Sequence, residues 1–304
     1  MTSSVLKFWK LVFVFVGFLA LCIFALRLST KAQGFQRQNL EVLKFEAQEP
    51  RPQKLTWLQE KLTVGQSELN YLRKNSIPNW LRDIDIDKEL NETQAVLTLH
   101  SYLDNIDVIC RRKIRFGHLD DGGWEICDDI HVRPEPPCII YSFGIANDWT
   151  FDDEVSRLYG CHVYAFDPSI EQDRHDRSKL IHFYPWGLAG ITGAWPGKGW
   201  PMYTLQDIKE KLGHSDKVID IVKMDIESSE WTALPQMVTS GQLNNVRQLL
   251  IEFHVTPGRK DVKIVQAIER LGFKKFYVHK NFHCRRRQVG FPVFRTSCYE
   301  VMYM

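Results

Sequence analysis

VIDIVKMDIESSEW, residues 218–231, decides how the rest of the chain is read. An apolar run meets Lys223 and then two carboxylates two positions apart, Asp225 and Glu227, with Glu230 and Trp231 just beyond. A short, nearly continuous apolar run is the pattern of a strand buried on both faces. The acids stand at its end, and the carboxyl ends of strands are where open parallel sheets bind their ligands.

Outward from this stretch the same pattern recurs. CIIYSFGI (138–145), CHVYAF (161–166), LIHFYPWGL (180–188) and VRQLLIEFH (246–254) are further apolar runs. DDEVSRLYG, TLQDIKEKLG, SEWTALPQMVTSG and GRKDVKIVQAIERLG lie between or after them and have helical length. Strands alternating with helices predict βαβ units and a parallel sheet. FKKFYVHKN and TSCYEVMYM, near the C-terminus, lack an intervening helix and predict an antiparallel hairpin. Residues 92–109 carry Val96, Leu99, Leu103 and Ile106 at helical spacing and predict an amphipathic helix leading into the domain. The fold class is α/β, a mostly parallel Rossmann-like sheet with a C-terminal antiparallel hairpin.

Asp167 ends the second strand and Asp225 the fourth, so both face one crevice. The loop after the first strand, YSFGIANDW, holds one glycine, Gly144, whereas a diphosphate-binding fingerprint needs three. A ligand without phosphates fits better. Asp167 suits a ribose, whose two hydroxyls can both donate to one carboxylate, and equally suits a turn before Pro168. His254 ends the fifth strand beside the fourth, so Asp225, Glu227 and His254 are the candidates for a general base. A satisfied loop histidine is the equal alternative for His254. The same trio suits a divalent cation only if the chain turns at Ile226, and no metal ligand is assigned. Glu230 reads as a first-turn helix acid and Trp231 as core.

The series YSFGIANDWTFDDEVSRLYGCHVYAFDPS, TLQDI, IDIVKMDIESSEW and LLIEFH, with DGGWEIC at 121–127, resembles the FkbM-type methyltransferases, and within them the animal methyltransferase-like protein 24 group. The resemblance implies a class I methyltransferase sheet with S-adenosyl-L-methionine as cofactor. It places Gly144 in the first cofactor loop, Asp167 at the ribose, and Pro185, Trp186 and Gly187 beside the adenine. Asp225 and Glu227 match the family's D-x-E-G-x-E motif. The chain departs from the pattern twice. Ser142 stands where many relatives carry an acid, for which Asp148 is the candidate substitute, and Ser228 replaces the glycine after Glu227. The implied reaction is O-methyl transfer to a hydroxyl, on a glycan or lipid acceptor. The competing readings are a luminal glycosyltransferase using the D-x-D pattern of Asp83, Asp85 and Asp87, and a catalytically inactive methyltransferase-fold binding protein, suggested by Ser142.

Residues 11–26 are uncharged and apolar with basic flanks, which predicts an uncleaved transmembrane signal-anchor over 11–28. The remaining divisions are a cytoplasmic tail (1–10), a stem (29–91) and the methyltransferase-like domain (92–304). Outside the apolar segment the six cysteines form an even set, and Asn91-Glu92-Thr93 is a glycosylation sequon. Both point to a single-pass type II protein of the endoplasmic reticulum or Golgi lumen, the alternative being secretion after signal cleavage. Cys284 and Cys298 flank the terminal hairpin, Cys110 and Cys127 bracket the DGGW segment, and Cys138 and Cys161 begin adjacent strands, so these are the expected pairs. The net charge of +2 and the brief cluster Arg285–Arg287 give no reason to expect nucleic acid.

Overall fold

The computed structural model describes residue 81 and residues 84–256 and 261–304. The predicted anchor at 11–28 and the stem up to residue 80 lie outside the described residues. Among the described residues no helix is long and apolar enough to cross a membrane. The chain divides after Lys61, and everything described belongs to the second unit, Leu62–Met304.

Among the described residues two helices come first, α1 (Ile86–Glu89) and α2 (Glu92–Asp104). The hairpin β1 (Lys113–Phe116) and β2 (Trp124–Cys127) follows. The alternating series is β3 (Ile139–Phe143), α3 (Thr150–Tyr159), β4 (His162–Phe166), β5 (His175–Asp176) and β6 (Ile181–Tyr184). A small three-stranded sheet comprises β7 (Gly187–Leu188), β8 (Gly193–Ala194) and β9 (Pro201–Tyr203). The series resumes with α4 (Leu205–Lys211), β10 (Ile219–Met224), α5 (Glu230–Thr239), β11 (Val246–His254), α6 (Val262–Arg270) and β12 (Lys275–Lys280). The last strands are β13 (Arg285–Arg287), β14 (Phe294–Thr296) and β15 (Cys298–Tyr303).

The main sheet has eight strands in the order β12-β15-β11-β10-β3-β4-β6-β5. β6, β4, β3, β10 and β11 run parallel. β12 and β15 pair antiparallel, as the sequence predicts. They do not hang from the sheet edge as a plain hairpin, however: β15 inserts between β11 and β12, so β12 runs in the direction of the parallel set. The segment 180–188, read as one strand, breaks at Pro185 into β6 and β7, because proline cannot donate to a ladder. The helix at 92 ends at Asp104, leaving Ile106 half exposed beyond it.

Alternate residues of each strand serve opposite faces. Tyr141, Val222, Leu249 and Val301 join the core that also buries residues of α2, α4, α5 and α6. Ile140, Ile221, Leu250 and Met302 join a second core with Val155 of α3 and Trp124 of the β1–β2 hairpin. Leu81 is fully buried in the first core, and its carbonyl accepts a hydrogen bond from Gln266 at 2.7 Å, so the core includes a residue of the segment read as stem. Three disulfides, Cys110–Cys127, Cys138–Cys161 and Cys284–Cys298, join the expected pairs with Cα separations of 5.8, 4.7 and 5.6 Å.

Candidate functional site

Chain order along the sheet reverses between β3 and β10, and two cavities open at the carboxyl ends of the strands there. The first, about 300 Å³, is walled by Gly144, Phe166, Asp167, Trp186, Trp200 and Asp225, among others. The second, about 550 Å³, is walled by Asp225, Glu227, Glu252, His254, Arg285 and Arg286, among others. Asp225 and Glu227 border both.

Gly144 turns the chain after β3 with φ +72°, a left-handed conformation that favours glycine. A Cβ on it would lie 1.5 Å from the Asp225 carbonyl oxygen, so the first loop presses directly against the end of β10. Lys223 holds this contact from beneath. Its buried ammonium donates to the carbonyls of Phe143 at 3.2 Å and Gly144 at 2.7 Å. Asp167 Oδ2 accepts from the Ala146 amide at 2.8 Å, and Oδ1 accepts from the Ser169 amide at 2.8 Å and hydroxyl at 2.6 Å. Its carboxylate therefore makes the predicted turn and also lines the first cavity. Trp186 packs on Phe166, Tyr184 and Tyr203 and borders the same space. Pro185 is absent from that wall, and Gly187 is present.

Ser142 and Asp148 do not reach this cavity. Ser142 is fully buried on the opposite side of β3, and the carboxyl facing its hydroxyl is Asp152 of α3. Burial pushes Asp152 up to about 7, against the opposing charge of Lys223. Asp148 Oδ1 accepts from the Thr150 amide and hydroxyl at 3.0 and 2.7 Å, and its Oδ2 lies 3.4 Å from His118 Nε2. That carboxylate serves the start of α3.

The three remaining residues do converge. A strand continued through 225 and 227 would be straight, but β10 stops at Met224 and the chain turns through Glu227 at φ +53° and Ser228 at φ +77°. This swings Glu227 Oε2 to 3.6 Å from His254 Nε2, with Asp225 Oδ1 at 3.9 Å from the same nitrogen. On the other side of the ring, His254 Nδ1 lies 3.4 Å from Glu230 Oε1, which also accepts from the His254 amide at 2.8 Å. The Trp231 indole donates to the His254 carbonyl at 2.9 Å, and its ring packs in the core as expected. Burial works against a charged imidazole here, yet Glu230, then Asp225 and Glu227, outweigh it and raise the His254 pKa.

Sequence reasoning missed two groups of residues. Glu252 is 4% exposed, and burial, followed by the Asp225 carboxylate beside it, pushes it up to about 10. Glu230 stands in the first turn of α5, as expected, but its full burial against His254 was not foreseen. For both, the signal was the strand-end histidine itself, since Glu252 is two residues before it on the same face. The second group is Trp195, Trp200 and Met202, which the small sheet brings over the first cavity. The glycine-flanked pair in GAWPGKGW was their only trace in the sequence.

Residues 82–304 match the family model described as "Methyltransferase domain". The chain is 23% identical over 233 residues to the rat protein named "Probable methyltransferase-like protein 24", covering 67% of this chain and 63% of that protein. Against the human protein of the same name the identity is 23% over 205 residues, covering 60% of this chain and 55% of the relative. The chain thus spans less than two thirds of the length of the curated relatives it matches. No solved structure matches.

Proposed function

We propose, from the premise that the chain belongs to the methyltransferase-domain family matched by its residues 82–304, that it is an S-adenosylmethionine-dependent O-methyltransferase of FkbM type. The observation that carries this is the position of the first cavity, at the reversal of chain order and bordered by both Asp167 and Asp225. The cofactor fits these residues. Asp167 Oδ2 has one protein donor and keeps capacity for a ribose hydroxyl, and Trp186 and Trp200 supply aromatic surface for an adenine. A single-glycine loop suits a ligand without phosphates.

When bound, the cofactor supplies a methyl group already activated on a sulfonium. The protein's tasks are then alignment and removal of the acceptor proton. Asp225 and Glu227 stand between the two cavities, so the acceptor enters from the second. The cluster of Asp225, Glu227 and His254 stands where that acceptor's hydroxyl proton has to be given up. Arg285 and Arg286 on the far wall of the second cavity favour an acceptor with an anionic group, consistent with a glycan or lipid.

We further propose the secretory lumen as its compartment, with residues 11–28 as the anchor. Three closed disulfides support an oxidising environment. Asn91 is exposed and caps α2 reciprocally, its Oδ1 accepting from the Gln94 amide and its own backbone amide donating to Gln94 Oε1. The D-x-D alternative draws no support. Asp85 pairs with Lys88 and Asp87 with Lys263 on the surface, and neither lines either of the two cavities.

Calorimetric titration of the full chain with S-adenosylmethionine tests the reading. Asp167→Ala removes a charge-assisted acceptor worth roughly 1.5–3 kcal/mol per bond and is expected to weaken binding at least about tenfold. Asp225→Asn is expected to leave cofactor affinity nearly unchanged. Absence of binding by the folded, unmutated chain would overturn the proposal in favour of a non-catalytic binding domain.

A further inference from the structure

We propose that Asp225, Glu227 and His254 hold a divalent cation at the boundary between the two cavities. One ligand atom from each, a carboxylate oxygen or a ring nitrogen, lies within 4.8 Å of the others, close enough for a small shift of side chains to place all three around one ion. Two carboxylates and one imidazole form a mixed oxygen–nitrogen set of the kind that binds Mn²⁺ or Zn²⁺. The set is open on one side. The Glu227 side chain is 90% exposed and the His254 side chain 15%, which leaves coordination positions facing the second cavity.

A second, independent observation points the same way. Glu252 lines the second cavity, is nine-tenths buried, and brings Oε2 to 3.9 Å from His254 Nε2. Its Oε1 is buried with no hydrogen-bond partner, as is Oε2 of Glu230 behind the histidine. Among the described residues, no lysine or arginine forms an ion pair with Asp225, Glu227, Glu230 or Glu252, and His254 is their shared neighbour. Four carboxyl groups thus crowd one imidazole, two of them with buried oxygens that lack a partner. A cation would bind among them and give Glu252 a fourth ligating position.

Two other clusters of ligand-type residues do not qualify. Cys110, Cys127 and Asp129 form one, and Glu252, His254 and Cys298 the other, but their cysteines are all joined in disulfides and offer no thiolate.

In methyl transfer the ion would hold the acceptor hydroxyl and lower its pKa, so that the proton leaves to solvent and the three side chains act as ligands instead of bases. That use rests on the function proposed above; the binding does not, and it is measured without any methyl donor. The full chain, stripped with a chelator, is titrated with Mn²⁺ by electron paramagnetic resonance and, separately, with Zn²⁺ by calorimetry. Saturable uptake of one ion per chain is expected. Asp225→Asn and His254→Gln are each expected to weaken it by at least about tenfold, as loss of one ligand does. Asp148→Asn, outside the site, is expected to keep full affinity, and circular dichroism establishes that each variant is folded. The proposal is overturned if neither ion binds the folded chain saturably, or if both ligand variants bind as tightly as the unmutated chain.

Discussion

Ser228 occupies a left-handed conformation at φ +77°, immediately after Glu227 at φ +53°. The resemblance put a glycine at 228, and this turn supplies the reason, since a left-handed residue with a Cβ costs roughly 1–2 kcal/mol. Ser228→Gly is therefore expected to raise the unfolding free energy by about 1 kcal/mol in urea denaturation, without moving the acids. Glu230 is the second residue on which the site depends. Glu230→Gln removes the neighbour that, by hydrogen bond and charge, does most to raise the His254 pKa, so the His254 titration midpoint in the metal-free chain is expected to fall, as read by NMR. The sign also fixes a stability effect. A histidine raised in the native state stabilises the fold below its unfolded value of about 6.5 and loses that contribution as pH rises through the native one. The variant should flatten stability across that window. Asp225, Glu227 and His254 were legible because strand ends can be read from apolar runs. Glu252, Asp152 and Glu230 were not, because a carboxyl inside an apolar strand or helix shows its neighbours only after the chain folds.

At the scale of elements, the runs that predicted β3, β4, β10 and β11 lie within a residue or two of the observed strands, since burial on both faces leaves a continuous apolar signature. The order of β12 and β15 was not legible. Both runs are compatible with either neighbour, and only the fit of side chains selects β15 beside β11. Helix α2 fastens this inserted strand. His100 Nδ1 lies 2.9 Å from the Tyr299 hydroxyl, and the helix residue is 1% exposed. Burial, and next the charge of Arg295, hold His100 down at about 4. A histidine depressed below its unfolded value takes up protons more readily when unfolded, so stability should fall as pH drops from about 6.5 to 4, by up to about 3 kcal/mol. Denaturation measured at steps across that range checks the slope, and His100→Gln is expected to lessen it.

For the whole molecule, the three disulfides staple three different places: the β1–β2 hairpin to the segment before it, β3 to β4, and the loop after β12 to β15. They close loops with sequence separations of 17, 23 and 14 residues. Each loop of that length is worth roughly 3 kcal/mol in the chain-entropy account. Full reduction is therefore expected to lower the melting temperature by more than 10 °C, on the scale of roughly 2–4 °C per kcal/mol for a domain this size. Differential scanning calorimetry with and without reductant measures it. The placement of β15 has a further consequence, for the timing of synthesis. β11 and β12 leave the ribosome before the strand that separates them. Until β15 arrives, β11 presents an unpaired ladder of amides and carbonyls, the kind of edge that recruits foreign strands. The nascent chain must therefore wait, half assembled, for its final strand, and Cys284 waits with it for Cys298. Of the three disulfides, Cys284–Cys298 is the one whose second cysteine is made last.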